Sequence, residues 1–403
     1  MLCKFEVKNF KNFGEPFVFD LLSTKNYEFN PECVQNGVVA NSIIYGPNAC
    51  GKTNLGHAVF DIRTHLTDDK ITEHYETDYL HAAQREGSAK FVYTFQFGED
   101  EVEYAYEKAS VRKLLSEVLK INGKTVISLD RREGSVAEFD LDGTETLNRD
   151  LGSGLGDENS PLSAVKYVAN STVLTATPEN SVFRKFVAFV KNMEHFTTET
   201  ARAVQAAAGT VADIILGGGR KLAGFETFLH QAGVACSLSV VEVSGEKQIA
   251  FDFGDSQLDF VTNASTGTLS LTAQYIQLIT LRLQCDFSAR SETNGVEVVG
   301  DARKQAEDMG WFPRVRPFLF IDEFDAFYHH AAARYMVETL KKLDCQSILT
   351  THNTSIMSND LLRPDCYFIM SATDIKPAYA FTDKELRKAH NIEKMYRAGV
   401  FNG

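Results

Sequence analysis

Long hydrophobic runs, paired cysteines and an excess of positive charge are all missing from this sequence. No apolar run reaches the length of a membrane span, and the first residues do not read as a signal peptide. The seven cysteines include no C-x-x-C pair, which argues against a disulfide scaffold or a zinc site and favours a reducing cytosol. We therefore expect a cytoplasmic protein with no membrane partner.

The charge balance limits the partners further. The formal net charge is −13, so the molecule as a whole repels DNA, and contact with nucleic acid requires a local basic patch. One candidate patch lies near the C-terminus, although such spacing is more typical of a solvated helix face: Lys384, Arg387, Lys388, Lys394 and Arg397. With 403 residues of ordinary hydrophobic content, the chain is predicted to be globular, with two or three lobes.

One motif is present in full. Residues 46–53 read G-P-N-A-C-G-K-T, which matches the phosphate-binding P-loop G-x-x-x-x-G-K-[ST]. The glycines let successive N–H groups point at one phosphate chain, Lys52 reaches the outer phosphates, and the Thr53 hydroxyl takes a Mg²⁺ position. The candidate nucleotide-binding residues here are Gly46, Asn48, Gly51, Lys52, Thr53 and Asn54.

The surroundings of this loop fit the motif. Residues 42–45 read as a short buried strand, and the apolar residues that follow recur at helical spacing: Leu55, Val59, Ile62 and Leu66. The loop would therefore open a helix whose N-terminal dipole favours phosphate. The alternative is a chance glycine-rich turn.

Alternating patterns organise the N-terminal part of the chain. They predict strands at 2–8 and 17–21, followed after the P-loop region by an antiparallel meander from about 91 to 140. Asn122-Gly123 is a strong hairpin signal within the meander. Residues 141–160 are rich in Gly, Asp, Asn and Ser and are predicted to be a loop.

Helical spacing takes over in the second part. A helix start is predicted at Ser160-Pro161. A wide apolar stripe is then formed by Val182, Phe186, Val187, Phe189, Val190 and Met193. A helix at about 221–232, a hairpin that turns at Ser244-Gly245 and a helix after residue 265 follow, before a polar insertion at about 286–316.

Acidic and histidine side chains follow two later strands. Residues 318–321 are apolar enough for a strand buried on both faces, and Asp322 and Glu323 come directly after it. At the sheet edge shared with the P-loop, Asp322 can hold Mg²⁺ through water and Glu323 can polarise an attacking water. The strand at 347–351 leads to His352, which can hydrogen-bond a terminal phosphate. Each signal alone is weak, but their order after a P-loop favours function.

A second anion site is suggested at Ser265 and Gly267, just before a predicted helix. One chain hardly needs two phosphate cradles for one triphosphate, whereas a dimer that shares nucleotide across its interface does. The alternative is an ordinary serine N-cap.

The order of these motifs resembles that in the ABC-type ATPase heads of the SMC, RecF and OLD group. The order is the P-loop, S-x-G-T before a helix, the acidic strand end and the strand with histidine. The opening segment V-K-N-F-K-N-F at 7–13 is similar to the first strand of that group. The segments at 362–368, 386–388 and 396–399 resemble the compact ATPases of bacterial abortive-infection and anti-phage systems.

The resemblance implies that ATP and Mg²⁺ are the ligands. Lys52 and Thr53 would bind phosphate and Mg²⁺, and Asp322 would contribute to the metal site. Lys11 and Asn12 would lie near the nucleotide.

The same resemblance implies a catalytic pair and contacts to a second copy. Glu323 and His352 would be the catalytic glutamate and the switch histidine, and 325–329, which begins with Asp325, would be the D-loop. Ser265 and Gly267 would reach the γ-phosphate of the partner's ATP.

The sequence departs from the pattern of the group at several places. The signature reads A-S-T-G-T instead of L-S-G-G-Q, and the loop after Glu323 reads F-D-A-F-Y-H-H where relatives often have L-H-P. No Q-loop glutamine is found, since Gln96 falls in the middle of a predicted strand. The long coiled-coil arms of the group are missing.

The predicted fold is therefore α/β, a P-loop NTPase of ABC type. It would have a mixed or parallel core sheet, an antiparallel β-meander lobe and a helical lobe, without coiled-coil arms. Residues 1–403 would form one ATPase with sublobes at 1–150, 151–262 and 263–403.

The leading hypothesis is an ATP-hydrolysing sensor or scaffold that forms a homodimer or higher homo-oligomer around two Mg·ATP. The resemblance implies a role in anti-phage defence, with a phage-encoded trigger and a separate effector protein, often a Toprim-type nuclease. One alternative is a RecF-like or SMC-like DNA-repair ATPase that clamps DNA. Others are an assembly protein that binds ATP structurally and, least favoured, a transporter motor.

Overall fold

The computed structural model describes residues 1–403 except 70, 72, 153–161, 198–207, 218–221, 290–314, 328 and 402–403. The predicted helix start at Ser160-Pro161 and most of the predicted insertion at 286–316 lie outside the described residues. The described part contains two large sheets, one antiparallel and one largely parallel.

The described residues form strands and α-helices in both halves of the chain. The strands are β1 (Leu2–Lys8), β2 (Phe17–Asp20), β3 (Val34–Gln35), β4 (Val38–Val39), β5 (Asn41–Tyr45), β6 (Ala89–Phe97), β7 (Asp100–Ser110), β8 (Lys113–Ile121), β9 (Lys124–Asp130), β10 (Glu138–Phe139), β11 (Met193–Phe196), β12 (Leu238–Val243), β13 (Glu246–Asp252), β14 (Gln257–Asp259), β15 (Phe318–Ile321), β16 (Gln346–Thr351), β17 (Tyr367–Met370) and β18 (Ile375–Pro377). The α-helices are α1 (Lys52–Phe60), α2 (Arg63–Leu66), α3 (Glu73–Glu76), α4 (Ala164–Ser171), α5 (Pro178–Lys191), α6 (Ala208–Leu216), α7 (Leu222–Gln231), α8 (Phe260–Asn263), α9 (Thr266–Ala289), α10 (His330–Lys341) and α11 (Ile392–Arg397).

The antiparallel sheet has the strand order β10-β9-β8-β7-β6-β1-β2. Its long strands bury every second residue, so one face packs on the core and the other meets solvent. The predicted meander and its turn are confirmed: β8 and β9 are joined by Asn122 and Gly123, with φ of 49° and 79°. Positive φ at both positions is what a two-residue hairpin turn of type I′ needs.

The core sheet has the order β11-β15-β16-β5-β17-β18, and all its neighbours are parallel except β17 and β18. Its central strands β5, β15 and β16 are buried along their whole length, as expected for parallel strands covered on both faces. Because β16 lies between β5 and β15, the carboxyl ends of these three strands meet at one edge.

The helical stripe is confirmed with one correction. Thr177 caps α5 by accepting a hydrogen bond from the Asn180 amide, and Pro178 follows as the first helical residue. Met193 was predicted to belong to this stripe, and that prediction is wrong. The helix ends at Lys191, and Met193 begins β11 opposite Phe318. The spacing of Met193 suited a helix, yet pairing with the buried edge of β15 fixed it as a strand.

The longest helix of the described residues is α9, with 24 residues, and this part of the chain shows no coiled-coil arm. Within the same residues, no helix is long and apolar enough to cross a membrane.

Candidate nucleotide-binding site

The P-loop connects β5 to α1, and its two glycines are required by their surroundings. A Cβ on Gly46 would lie 2.5 Å from the Met370 carbonyl oxygen, which belongs to neighbouring strand β17. Gly51 has φ of 104°, and a Cβ there would overlap the side chain of Asn12. The positive φ of Gly51 fits the curled path by which a P-loop turns its backbone N–H groups towards phosphate. Asn48 is exposed at the outer turn of this loop.

The ammonium group of Lys52 is turned back into the loop. It donates to the carbonyl oxygens of Gly46 and Pro47, both at 3.0 Å, and the residue is buried. This burial lowers the pKa of Lys52. The two carbonyl oxygens satisfy the buried ammonium group by hydrogen bonding, and a phosphate chain bound by the loop would supply it with an opposite charge.

Asn12 meets the P-loop, whereas the side chain of Lys11 points to another part of the chain. Asn54 Nδ2 donates to Asn12 Oδ1 at 2.7 Å, so the loop after β1 is joined to the first turn of α1. Lys11 Nζ donates to the carbonyl oxygen of Thr77 at 3.1 Å, and partial burial lowers its pKa.

Thr53 and Asp322 are brought into direct contact although they are 269 residues apart. Thr53 Oγ1 donates to Asp322 Oδ2 at 2.6 Å, and Thr350 Oγ1 donates to Asp322 Oδ1 at 2.5 Å. A hydroxyl and a carboxylate at the end of a phosphate cradle are the hard oxygen donors that Mg²⁺ prefers. The residues present therefore fit a Mg²⁺ ion held between the P-loop and the acidic strand.

Glu323 follows Asp322 in an unusual backbone conformation. Its φ is 47°, in the left-handed region, and its amide donates to Thr350 Oγ1 at 2.8 Å. The residue is exposed at the carboxyl edge of the core sheet. The turn directs it away from the buried strand β15 and towards the surface beside the P-loop.

His352 lies at the same edge, one residue beyond β16. Partial burial, together with the charge of Lys52, lowers the pKa of its imidazole, while Glu323, Asp325 and Asp322 act in the opposite direction. The neighbouring Thr351 hydroxyl donates to Asp325 Oδ1 at 2.5 Å, and burial raises the pKa of Asp325.

Ser265 and Gly267 stand at the start of α9. Ser265 Oγ accepts from the Thr268 amide at 3.1 Å, so it caps the helix, and the residue is exposed. A Cβ on Gly267 would lie 2.6 Å from the carbonyl oxygen of Phe327, in the loop after Glu323. The proposed signature and D-loop segments thus touch within one chain.

Sequence reasoning missed Thr350. Its hydroxyl contacts both acidic positions, yet in the sequence it reads only as a β-branched residue suited to a buried strand. No local signal distinguishes it from Thr351.

Among the described residues, no group of three or more His, Cys, Asp or Glu side chains is arranged to hold a metal ion.

No protein-family profile and no curated protein matches this chain. Solved structures of SMC heads are similar at about the level of 15% identity. The Smc head bound to the C-winged helix domain of ScpA has a TM-score of 0.45 with 15% identity, covering 93% of this chain and 96% of that chain.

Two further heads show the same distant similarity. The SMC head domain from Thermotoga maritima has a TM-score of 0.39 at 15% identity, with 93% and 98% of the two chains covered. The Smc head with an extended coiled coil from Pyrococcus furiosus, bound to the C-terminal domain of ScpA, has 0.40 at 14%, with 93% and 95% covered. Similarity this distant transfers neither activity nor partners.

The fold class rests on the chain's own topology. A P-loop follows β5, the acidic pair follows β15, the histidine follows β16 between them, and an antiparallel sheet packs beside the parallel core. This is an α/β P-loop NTPase fold of ABC type, as the sequence predicts.

Proposed function

We propose that this chain is a cytosolic ATPase that binds Mg·ATP at the P-loop and hydrolyses it to ADP and phosphate. The observation that carries the proposal is the hydrogen-bonded series from Thr53 through Asp322 to Thr350. It joins the phosphate cradle to the acidic strand end, so that phosphate, metal and water sites would be adjacent.

The chain's residues divide the work of phosphoryl transfer. The P-loop amides and Lys52 would bind the phosphates, and Thr53 with Asp322 would hold Mg²⁺, which would offset the phosphate charge. Glu323, exposed beside them, orients the attacking water and accepts its proton. The imidazole ring of His352 can donate a hydrogen bond to the terminal phosphate.

The activity is tested by replacing the catalytic carboxylate. Glu323→Gln should lower phosphate release by about 100-fold or more while ATP still binds, because only the proton acceptor is lost. Glu246→Gln, at an exposed hairpin strand, is the matched control and should behave as the wild type. Wild-type turnover by Glu323→Gln would refute the assignment.

We propose further that two copies close head-to-tail around two ATP molecules. The proposal is supported by the exposure of Glu323, His352 and Ser265 in the single chain, which leaves all three accessible to a second copy. Binding of ATP would favour the closed dimer and hydrolysis would open it.

Ser265→Asp tests the dimer. Aspartate caps a helix as well as serine does, so α9 should keep its start, while the added charge would repel the partner's γ-phosphate. In the Glu323→Gln background, ATP should produce a dimer in sedimentation analysis, and adding Ser265→Asp should abolish it. An ATP-dependent dimer that survives Ser265→Asp contradicts the head-to-tail arrangement.

The resemblance of 362–368 and 396–399 to abortive-infection ATPases supports a finer proposal, in which the closed dimer is a sensor and scaffold for a separate effector protein. The described residues offer no metal cluster suited to nuclease chemistry. Manganese-dependent DNA cleavage by the pure chain would contradict a separate effector. Salt-dependent, ATP-stimulated DNA binding would favour the DNA-clamp alternative instead.

A further inference from the structure

Thr350 makes hydrogen bonds to three consecutive residues of the acidic turn. Its hydroxyl donates to Asp322 Oδ1 at 2.5 Å and accepts from the Glu323 amide at 2.8 Å. Its carbonyl oxygen accepts from the Phe324 amide at 3.1 Å. Thr350 is fully buried, in register with Ile44 of the P-loop strand. One residue of β16 therefore holds the first three residues of the turn that follows β15.

These contacts fix two properties of the turn. The Asp322 carboxylate is held at both oxygens, by Thr350 on one side and by Thr53 on the other. Glu323 is kept at φ of 47°, a conformation that a non-glycine residue leaves unless its surroundings hold it. A hydroxyl is needed here because a single group must donate to a carboxylate and accept from an amide.

We propose that Thr350 is a positioning residue that sets Asp322 and Glu323 at the right places for hydrolysis. The inference rests on the ATPase proposed above. Thr350 does not touch the nucleotide in this proposal; it acts through the two acidic residues. Its β-branched side chain has restricted χ1, which fixes the hydroxyl more firmly than serine would.

The first test compares Thr350→Val with Thr350→Ser in the full chain. Valine keeps the shape and removes both side-chain hydrogen bonds, so kcat should fall by about 10-fold or more, because small misplacements of reacting groups are costly. The half-saturating Mg²⁺ concentration should rise, since the Asp322 carboxylate loses its hydrogen bond from Thr350 and keeps only the one from Thr53. The affinity for an ATP analogue, measured without metal, should change by less than about threefold, which is well below the expected loss of kcat.

Serine restores both hydrogen bonds, so Thr350→Ser should recover most of kcat and the Mg²⁺ dependence. A merely structural role would not divide the effects between kcat, Mg²⁺ dependence and nucleotide affinity in this way. If Thr350→Val does not fold, Thr350→Cys keeps similar volume with a weak donor and should show the same loss of kcat. A wild-type kcat in folded Thr350→Val or in folded Thr350→Cys overturns the proposal.

Ser347→Ala is the matched control. Ser347 is buried in the same strand, and its hydroxyl accepts from Asn41 Nδ2 at 2.8 Å at the opposite end. The variant should lose thermal stability but keep kcat; an equal loss of kcat would show that general damage to β16 explains the effect and would overturn the proposal. Failure of the ATPase itself is separable, because it would appear as no phosphate release by the wild type.

Discussion

The side chain of Asn12 occupies the space that a side chain at Gly51 would need. Asn12 is held in place because its Oδ1 accepts a hydrogen bond from Asn54 Nδ2 at 2.7 Å. The loop after the first strand is thereby fitted against the phosphate-binding loop. The contact makes glycine necessary at position 51 for a reason that is separate from its φ of 104°.

Gly51→Ala should abolish ATP binding, because the new methyl group displaces either Asn12 or the P-loop itself. Gly98→Ala is the control: its φ is 71°, and a Cβ there would meet nothing within 4 Å. Both variants carry backbone strain of about 1 kcal/mol, but only Gly51→Ala should lose binding in isothermal titration. Similar ATP affinity in the two variants would contradict this account.

A fully buried ion pair joins the end of the P-loop helix to the meander. Lys108 Nζ lies 2.9 Å from Asp61 Oδ2, with both side chains at 0% exposure, and Asp61 also accepts from Tyr79 and Tyr106. Lys108→Met should lower the free energy of unfolding by about 3–5 kcal/mol, because it leaves a buried charge without its partner.

The matched control for this pair is Lys120→Met. Lys120 and Glu103 are 2.8 Å apart on the same sheet, but their side chains are 39% and 38% exposed. Loss of a solvent-exposed pair should cost less than about 1 kcal/mol. Urea unfolding of both variants measures the difference, and equal losses would show that burial does not set the energy of the Lys108 pair.

His195 should make the fold sensitive to acid. Burial lowers its pKa from 6.5 to about 4 in the folded chain. The unfolded chain therefore binds more protons between these pH values. The stability that depends on neutral His195 is fully present above pH 6.5 and decreases as the pH falls towards 4.

His195→Phe tests this dependence, because a phenyl ring can keep the stacking on Phe60, whose ring centroid is 4.8 Å away. Urea unfolding at pH 7 and pH 5 should show a smaller loss of stability in the variant than in the wild type. The same loss in both proteins would mean that other groups carry the acid sensitivity.

Gly267→Ala should disturb the loop after Glu323, since its Cβ would lie 2.6 Å from the Phe327 carbonyl oxygen. We expect reduced ATP-dependent dimer formation and phosphate release, with ATP affinity of the single chain unchanged. Gly134→Ala, where a Cβ meets nothing within 4 Å, is the control. Normal dimer formation by Gly267→Ala in sedimentation analysis would argue against a role for this contact.

Much of the fold could be predicted because its signals are local. The alternation of β1 and β6, the Asn122-Gly123 turn and the apolar run of β15 each reflect a few neighbouring residues. Met193 was predicted wrongly because helical spacing continued past the end of α5, and only pairing with β15 made it a strand. The sublobe boundaries at 150 and 262 stay predictions.

The residues of the candidate site could be named from the sequence and their roles stay predictions, whereas their geometry could not be read from it. The P-loop, the acidic pair and the histidine could be named from their motifs, whereas the roles of Ser265 and Gly267 across a dimer stay proposals. The resemblance implied that Asn12 and Lys11 lie near the nucleotide. It predicted neither the contact of Asn12 with Gly51 nor the hydrogen bond from Lys11 to the carbonyl oxygen of Thr77. Side-chain direction depends on neighbours that the motif does not contain.

The amino-acid sequence by itself determined that a P-loop, a buried acidic strand and a strand with histidine exist in this order, because each is encoded by residues close together in the chain. Tertiary structure alone decided that Thr53, Asp322 and Thr350 share hydrogen bonds, since Thr53 and Asp322 are separated by 269 residues. The parallel order of β15, β16 and β5 brings their carboxyl ends together. The hydroxyl of Thr350, a residue of the buried strand β16, can therefore hydrogen-bond the acidic turn after β15.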